Sequence, residues 1–86
     1  MKYLVESPHT KEECLRELDG LAAKGNDVLM KFSWGCMAGE HTGYAILEAD
    51  SEAAARSVVP EVVRGKARIH PVSTFTSRDV EKFHTA

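Results

Sequence analysis

Two hydrophobic periods alternate along this chain, and the alternation constrains its fold more than any single residue does. Apolar side chains at every second position line one face of a strand. Apolar side chains at every third or fourth position line one stripe of a helix. Lys2 to Glu6 has the strand period, with Tyr3 and Val5 on one face and Leu4 on the other. Val28 to Trp34 has it too: Val28, Met30, Phe32 and Trp34 share one face, and Leu29, Lys31 and Ser33 the other. Thr42 to Ala49 sets Tyr44 and Ile46 opposite Ala45 and Leu47. Ala67 to Ser73, irregular at Pro71, reads as a fourth strand. Ser7-Pro8 ends the first one, because proline has no N–H for a ladder.

Helical signals fill the gaps. In T-K-E-E, Thr10 stands at an N-cap with Glu13 three residues on, a capping box. Glu12 and Glu13 suit the positive first turn. Cys14, Leu15, Leu18, Leu21 and Ala22 then form one stripe, which Gly25-Asn26 terminates. Asp50-Ser51 caps a second helix, E-A-A-A-R-S-V-V, which Pro60 breaks near Val59. A further turn, E-V-V-R, stops at Gly65. Thr76 or Ser77 caps a short tail helix whose Val80 and Phe83 are expected to turn inward.

The order is β-α-β-β-α-β plus a tail. It predicts one α+β domain over residues 1–86, the ferredoxin-like split β-α-β arrangement. The sheet is four-stranded and antiparallel with the first and third strands central. Two helices cover one face, and a short C-terminal helix follows. A chain of 86 residues has a thin core. The strands carry apolar residues on both faces, so a second copy covering the open face is expected, making a homodimer. The net charge of -2, with no basic stripe, argues against nucleic acid and anionic membranes as partners. No apolar run approaches membrane-spanning length, and Glu6 interrupts the region where a signal peptide needs apolar residues. These features predict a soluble cytoplasmic protein whose two cysteines stay thiols.

The richest stretch for chemistry is Trp34 to Tyr44, W-G-C-M-A-G-E-H-T-G-Y. It holds one of the two cysteines, one of the four histidines, the single tryptophan and three of the six glycines. In a split β-α-β unit the first two strands run parallel. The end of the first strand, the start of the first helix and the hairpin loop therefore share one sheet edge. His9 and Cys14 hold the N′ and N4 positions of that helix, whose side chains tend to touch. H-x4-C thus meets C-x4-H, and Cys36, His41, His9 and Cys14 become candidate ligands for zinc, nickel or copper. The spacing is not the C-x2-C of zinc fingers. Cys14 also lies on the apolar stripe, where free cysteine is ordinarily core. Glu40 reads as a solvated hairpin charge, with ligand or general base as its other roles.

The same edge admits two other readings. Cys36 can be a nucleophile, with His41 or His70 as base and Arg64 or Arg68 holding an anionic substrate. Trp34, Phe32, Met30 and Tyr44 can line a pocket for a small-molecule ligand, although core or dimer contact is the simpler expectation for them. Without any site, the chain is a structural dimerisation domain.

The segments S-P-H-T-K-E-E-C-L and W-G-C-M-A-G-E-H-T-G-Y, with the element order, length and two-faced sheet, carry a resemblance. The chain resembles the dimeric α/β-barrel superfamily, which includes small monooxygenases, muconolactone-isomerase-like proteins and a nickel-binding domain. Within it, the two segments resemble an uncharacterised small-domain family. The resemblance implies a homodimeric barrel. It also implies, as the rival to metal handling or sensing, an isomerase- or monooxygenase-like activity on a small organic molecule.

Overall fold

The computed structural model describes residues 1–85. The order is β1 (Lys2–Pro8), α1 (Lys11–Lys24), α2 (Asn26–Leu29), β2 (Phe32–Trp34), β3 (Thr42–Glu48), α3 (Glu52–Val58), α4 (Glu61–Arg64), β4 (Arg68–Val72) and α5 (Ser77–Thr85), with a 3-10 turn at Cys36–Ala38 between β2 and β3. The fold is α+β. Its one sheet runs β2-β3-β1-β4, every pair antiparallel, so β1 and β3 are central as expected.

The register builds the core directly. Phe32 pairs with Ala45, Ala45 with Val5, and Val5 with Ile69, so one row of apolar side chains crosses all four strands. The next row begins with Leu47 and Tyr3. These residues are buried together with Leu21 of α1, Ala55 of α3, Val59, Val63 of α4 and Ala67. Helices α1 to α4 therefore lie over one face. Pro60 sits so close to α1 that a β-carbon on Gly20 would stand 2.9 Å from it. The opposite face carries Leu4, Glu6, Tyr44, Ile46, Arg68 and His70, with Ile46 61% exposed. Among the described residues, no helix is long and apolar enough to cross a membrane.

Three expectations are corrected. The second strand begins at Phe32, not Val28, because Gly25 turns at φ 130 and Asn26 starts a short helix. Val28 and Leu29 pack against the core from that helix rather than alternating in a ladder. In α1 the inward face is Cys14, Glu17, Leu18 and Leu21, while Leu15 is 67% exposed and Ala22 also faces out. A carboxylate occupies the centre of the stripe. In α5, Val80 and Phe83 are exposed rather than inward, and Phe83 meets the ring of Phe75 edge-on at 5.3 Å.

The helix ends behave as the sequence implies. Thr10 and Glu13 form the reciprocal capping box, with Glu13 N donating to Thr10 Oγ1 at 3.2 Å and Thr10 N donating to Glu13 Oε1 at 2.8 Å. Ser51 caps α3, and α3 stops before Pro60.

Candidate metal centre

β1 and β3 deliver their ends to one edge of the sheet, where Pro8 pairs with Thr42. The ladder continues one step further: the backbone N–H of His9 donates to the carbonyl of His41 at 3.0 Å. This bond sets the two histidines side by side, their rings 5.8 Å apart. The capping box then fixes the first turn of α1, and with it Cys14. Across the edge, the loop from Gly35 to His41 is closed by its own backbone. Gly35 N donates to Thr42 O at 3.1 Å, and Gly35 O accepts from Ala38 N at 2.9 Å and Glu40 N at 3.0 Å. Gly39 takes φ 90, a conformation that side chains resist, and lets the 3-10 turn reverse. That turn carries Cys36.

Four ligand atoms converge here. One each from His9, Cys14, Cys36 and His41 all lie within 4.8 Å of one another. His9 Nε2 is 3.3 Å from Cys36 Sγ, and Cys14 Sγ is 3.4 Å from Cys36 Sγ. A tetrahedral zinc with bonds of about 2.0–2.3 Å holds its donors about 3.3–3.8 Å apart. The cluster is thus within metal-ligand distance and compatible with metal binding. His9 is buried; the other three are partly exposed. All four residues named from sequence come together, and Cys14 joins the cluster from the helix stripe. Both cysteines are free thiols.

Two polar atoms here are anomalous for a closed apolar core. His41 Nδ1 is buried with no hydrogen-bond partner. A buried polar atom of this kind is ordinarily satisfied by a water, an ion or a ligand. The second anomaly is Glu17, fully buried. Its Oε2 accepts from Ser7 Oγ at 2.5 Å. Its Oε1 has no hydrogen bond of good geometry but lies 2.7 Å from His9 Nδ1, which is also 3.2 Å from the carbonyl oxygen of Ser7. Burial pushes the Glu17 carboxyl above its ordinary range, opposed by the Ser7 hydroxyl and by His9.

Glu17 and Ser7 did not stand out in the sequence, since a mid-helix glutamate ordinarily faces water. Their signal was positional: Glu17 lies three residues after Cys14 and four before Leu21, inside the arc those residues bury.

Other candidates go elsewhere. Arg64 spends its guanidinium on backbone carbonyls, with Nε donating to Val59 O at 2.8 Å and Nη2 to Ser57 O at 3.3 Å. His70 and Arg68 approach Glu6 on the open face, at 3.0 and 3.6 Å. Glu40 accepts from the Tyr44 hydroxyl. The four pocket candidates do not line one cavity. Phe32 is core, Met30 is exposed, Tyr44 lies on the open face, and Trp34 stacks on Phe32 at 5.7 Å and flanks His9 at 6.0 Å. The Cys36 thiol is pushed up, by burial first and then by the neighbouring Cys14 thiol. A nucleophilic cysteine needs the reverse shift, whereas a coordinated cation deprotonates a thiol outright.

No family model, curated protein or solved structure matches this chain.

Proposed function

We propose that this protein binds a single transition-metal ion, zinc before nickel or copper, through Cys14, Cys36, His9 and His41, and serves in metal handling or sensing. The observation that carries the reading is the convergence of four donor atoms from distant points in the sequence to within 4.8 Å. The orphaned His41 Nδ1 supports it, since a metal would satisfy that nitrogen. His9 would bind through Nε2, because Nδ1 is already engaged by Glu17 and Ser7. Two thiolates and two imidazoles are a donor set suited to zinc. Three partly exposed ligands leave the ion reachable from solvent, which favours exchange over a permanently sealed structural role.

Elemental analysis of protein purified without a metal-affinity tag tests the reading. Near-stoichiometric zinc, nickel or copper is expected, and its loss in a Cys36→Ala/His41→Ala variant. A folded protein with no micromolar affinity for any of the three would sink it.

The ferredoxin-like, dimeric-barrel architecture belongs to the same proposal. The strand order β2-β3-β1-β4 supports the first part. The open face, with Ile46 61% exposed beside Leu4, supports the second, because a twin sheet would cover it. Light scattering after size exclusion should give twice the chain mass; a monomer at micromolar concentration contradicts it.

A further inference from the structure

We infer that Glu17 is a positioning residue for the metal, holding His9 in the tautomer and orientation that a four-coordinate divalent ion requires, and so setting the site's preference for such an ion over Cu+. The inference rests on the metal reading above.

Glu17 is 0% exposed in the middle of α1, and Ser7, its hydrogen-bond donor, is also 0% exposed. Taking a carboxylate out of water is costly even when it is paired, and well-packed apolar residues usually serve a core at least as well. The fold alone gives no reason for a glutamate at this position. His9 does. Its Nδ1 has the Ser7 carbonyl as its hydrogen-bond partner at 3.2 Å, and the Glu17 carboxylate lies against it, Oε1 2.7 Å away, as a close charge contact rather than an aligned hydrogen bond. A backbone carbonyl has no proton to offer, so Nδ1 carries the proton. In the neutral ring the lone pair is then on Nε2, which is the atom aimed at Cys36 Sγ, 3.3 Å away. The ring cannot turn over without giving up the Ser7 acceptor and the contact with the Glu17 carboxylate in a buried setting. A carboxylate behind the imidazole also makes Nε2 a stronger donor to a metal.

The consequence differs between ions. Zn2+ and Co2+ seek four donors and need both imidazoles. Cu+ is soft and well served by thiolates alone, which Cys14 and Cys36 provide 3.4 Å apart. Loosening His9 should therefore penalise the divalent ions and leave Cu+ nearly untouched. A merely structural role for Glu17 would weaken all of them together.

Competition titrations with Zn2+, and separately with Cu+ under anaerobic conditions, test this on the full chain. In a Ser7→Ala/Glu17→Leu variant, which removes both partners of the buried hydrogen bond, Zn2+ affinity should fall about 10–100-fold, with Cu+ affinity unchanged and the urea midpoint of the metal-free protein no lower. Glu17→Gln, which keeps an acceptor but not the charge, should fall between that variant and the wild type for Zn2+. It decides the matter if the double variant does not fold. Wild-type Zn2+ affinity in both variants, or in Glu17→Gln alone if the double variant does not fold, overturns the inference, as does a parallel loss of Zn2+ and Cu+. Wild-type protein that binds neither ion overturns the metal reading itself, a distinct result.

Discussion

A β-carbon on Gly43 would stand 2.5 Å from the ring of Trp34, closer than packed atoms come. The indole lies across that glycine, stacks on Phe32 and flanks His9. A Gly43→Ala substitution must therefore displace the ring that walls the buried histidine. Overpacking of this kind destabilises by about 1–3 kcal/mol, and urea denaturation should show a loss in that range. Gly65→Ala is the control: φ is -65 and the added carbon would point into open space. It should be neutral, or stabilising by about 0.4–1 kcal/mol through the unfolded chain. Equal midpoints for the two variants would contradict the close seat of Trp34. At this scale the sequence was informative about donors and silent about what surrounds them. His9, Cys14, Cys36 and His41 are residue types whose chemistry announces itself, and the strand order brought them to one edge. Glu17 was illegible because its meaning lies in contacts with Ser7 and His9, which only the packing of α1 on β1 creates.

The elements that read correctly are those whose determinants are local. Thr10 and Glu13 form their box within one turn, Pro60 stops α3, and β1 and β3 keep the alternation of their side chains. The elements that misread depend on tertiary packing. Residues 28–31 alternate like a strand, yet the positive φ of Gly25 launches a helical turn, and only three residues remain for β2. Phe83 follows a helical stripe, yet it stays 62% exposed, with the Phe75 ring against it rather than the core. The cap of α1 also has a tertiary partner, since Lys66 after α4 donates to Glu13 Oε1. That bond first, then the backbone bond at Thr10, holds the Glu13 carboxyl well below its ordinary 4.5, at about 2. A depressed acid stabilises the fold above its unfolded pKa and stops doing so as pH falls through its folded one. Glu13→Gln keeps the box but not the charge. The wild type should therefore have the higher urea midpoint at neutral pH. The gap should narrow from about pH 4.5 downward and vanish near pH 2. Added salt should narrow it at neutral pH, since the pair is near the surface. A gap independent of pH would mean that Glu13 acts through packing rather than charge.

For the molecule as a whole, the core is one layer of side chains between a four-stranded sheet and short helices. α5 adds little to it, and a chain of this size holds only a small margin of stability. A ligand that binds the folded state alone should then shift unfolding strongly. Zinc free at 100 times its dissociation constant adds about 2.7 kcal/mol. In a domain of this size each kcal/mol moves the melting temperature by about 4–8 °C, so saturating zinc should raise it by about 10–20 °C. The four donors come from just past β1, α1's first turn and the β2–β3 loop, so one ion would tie these three segments together. Scanning calorimetry with zinc, then with excess chelator, measures this on the same protein. The chelator should return the transition to its metal-free position. Cys36→Ala/His41→Ala should melt at one temperature under both conditions, because its remaining pair, His9 and Cys14, cannot close a tetrahedral site. A wild-type transition that zinc leaves unmoved would mean that the cluster does not hold the ion tightly in the folded state, and the proposed role would fall with it.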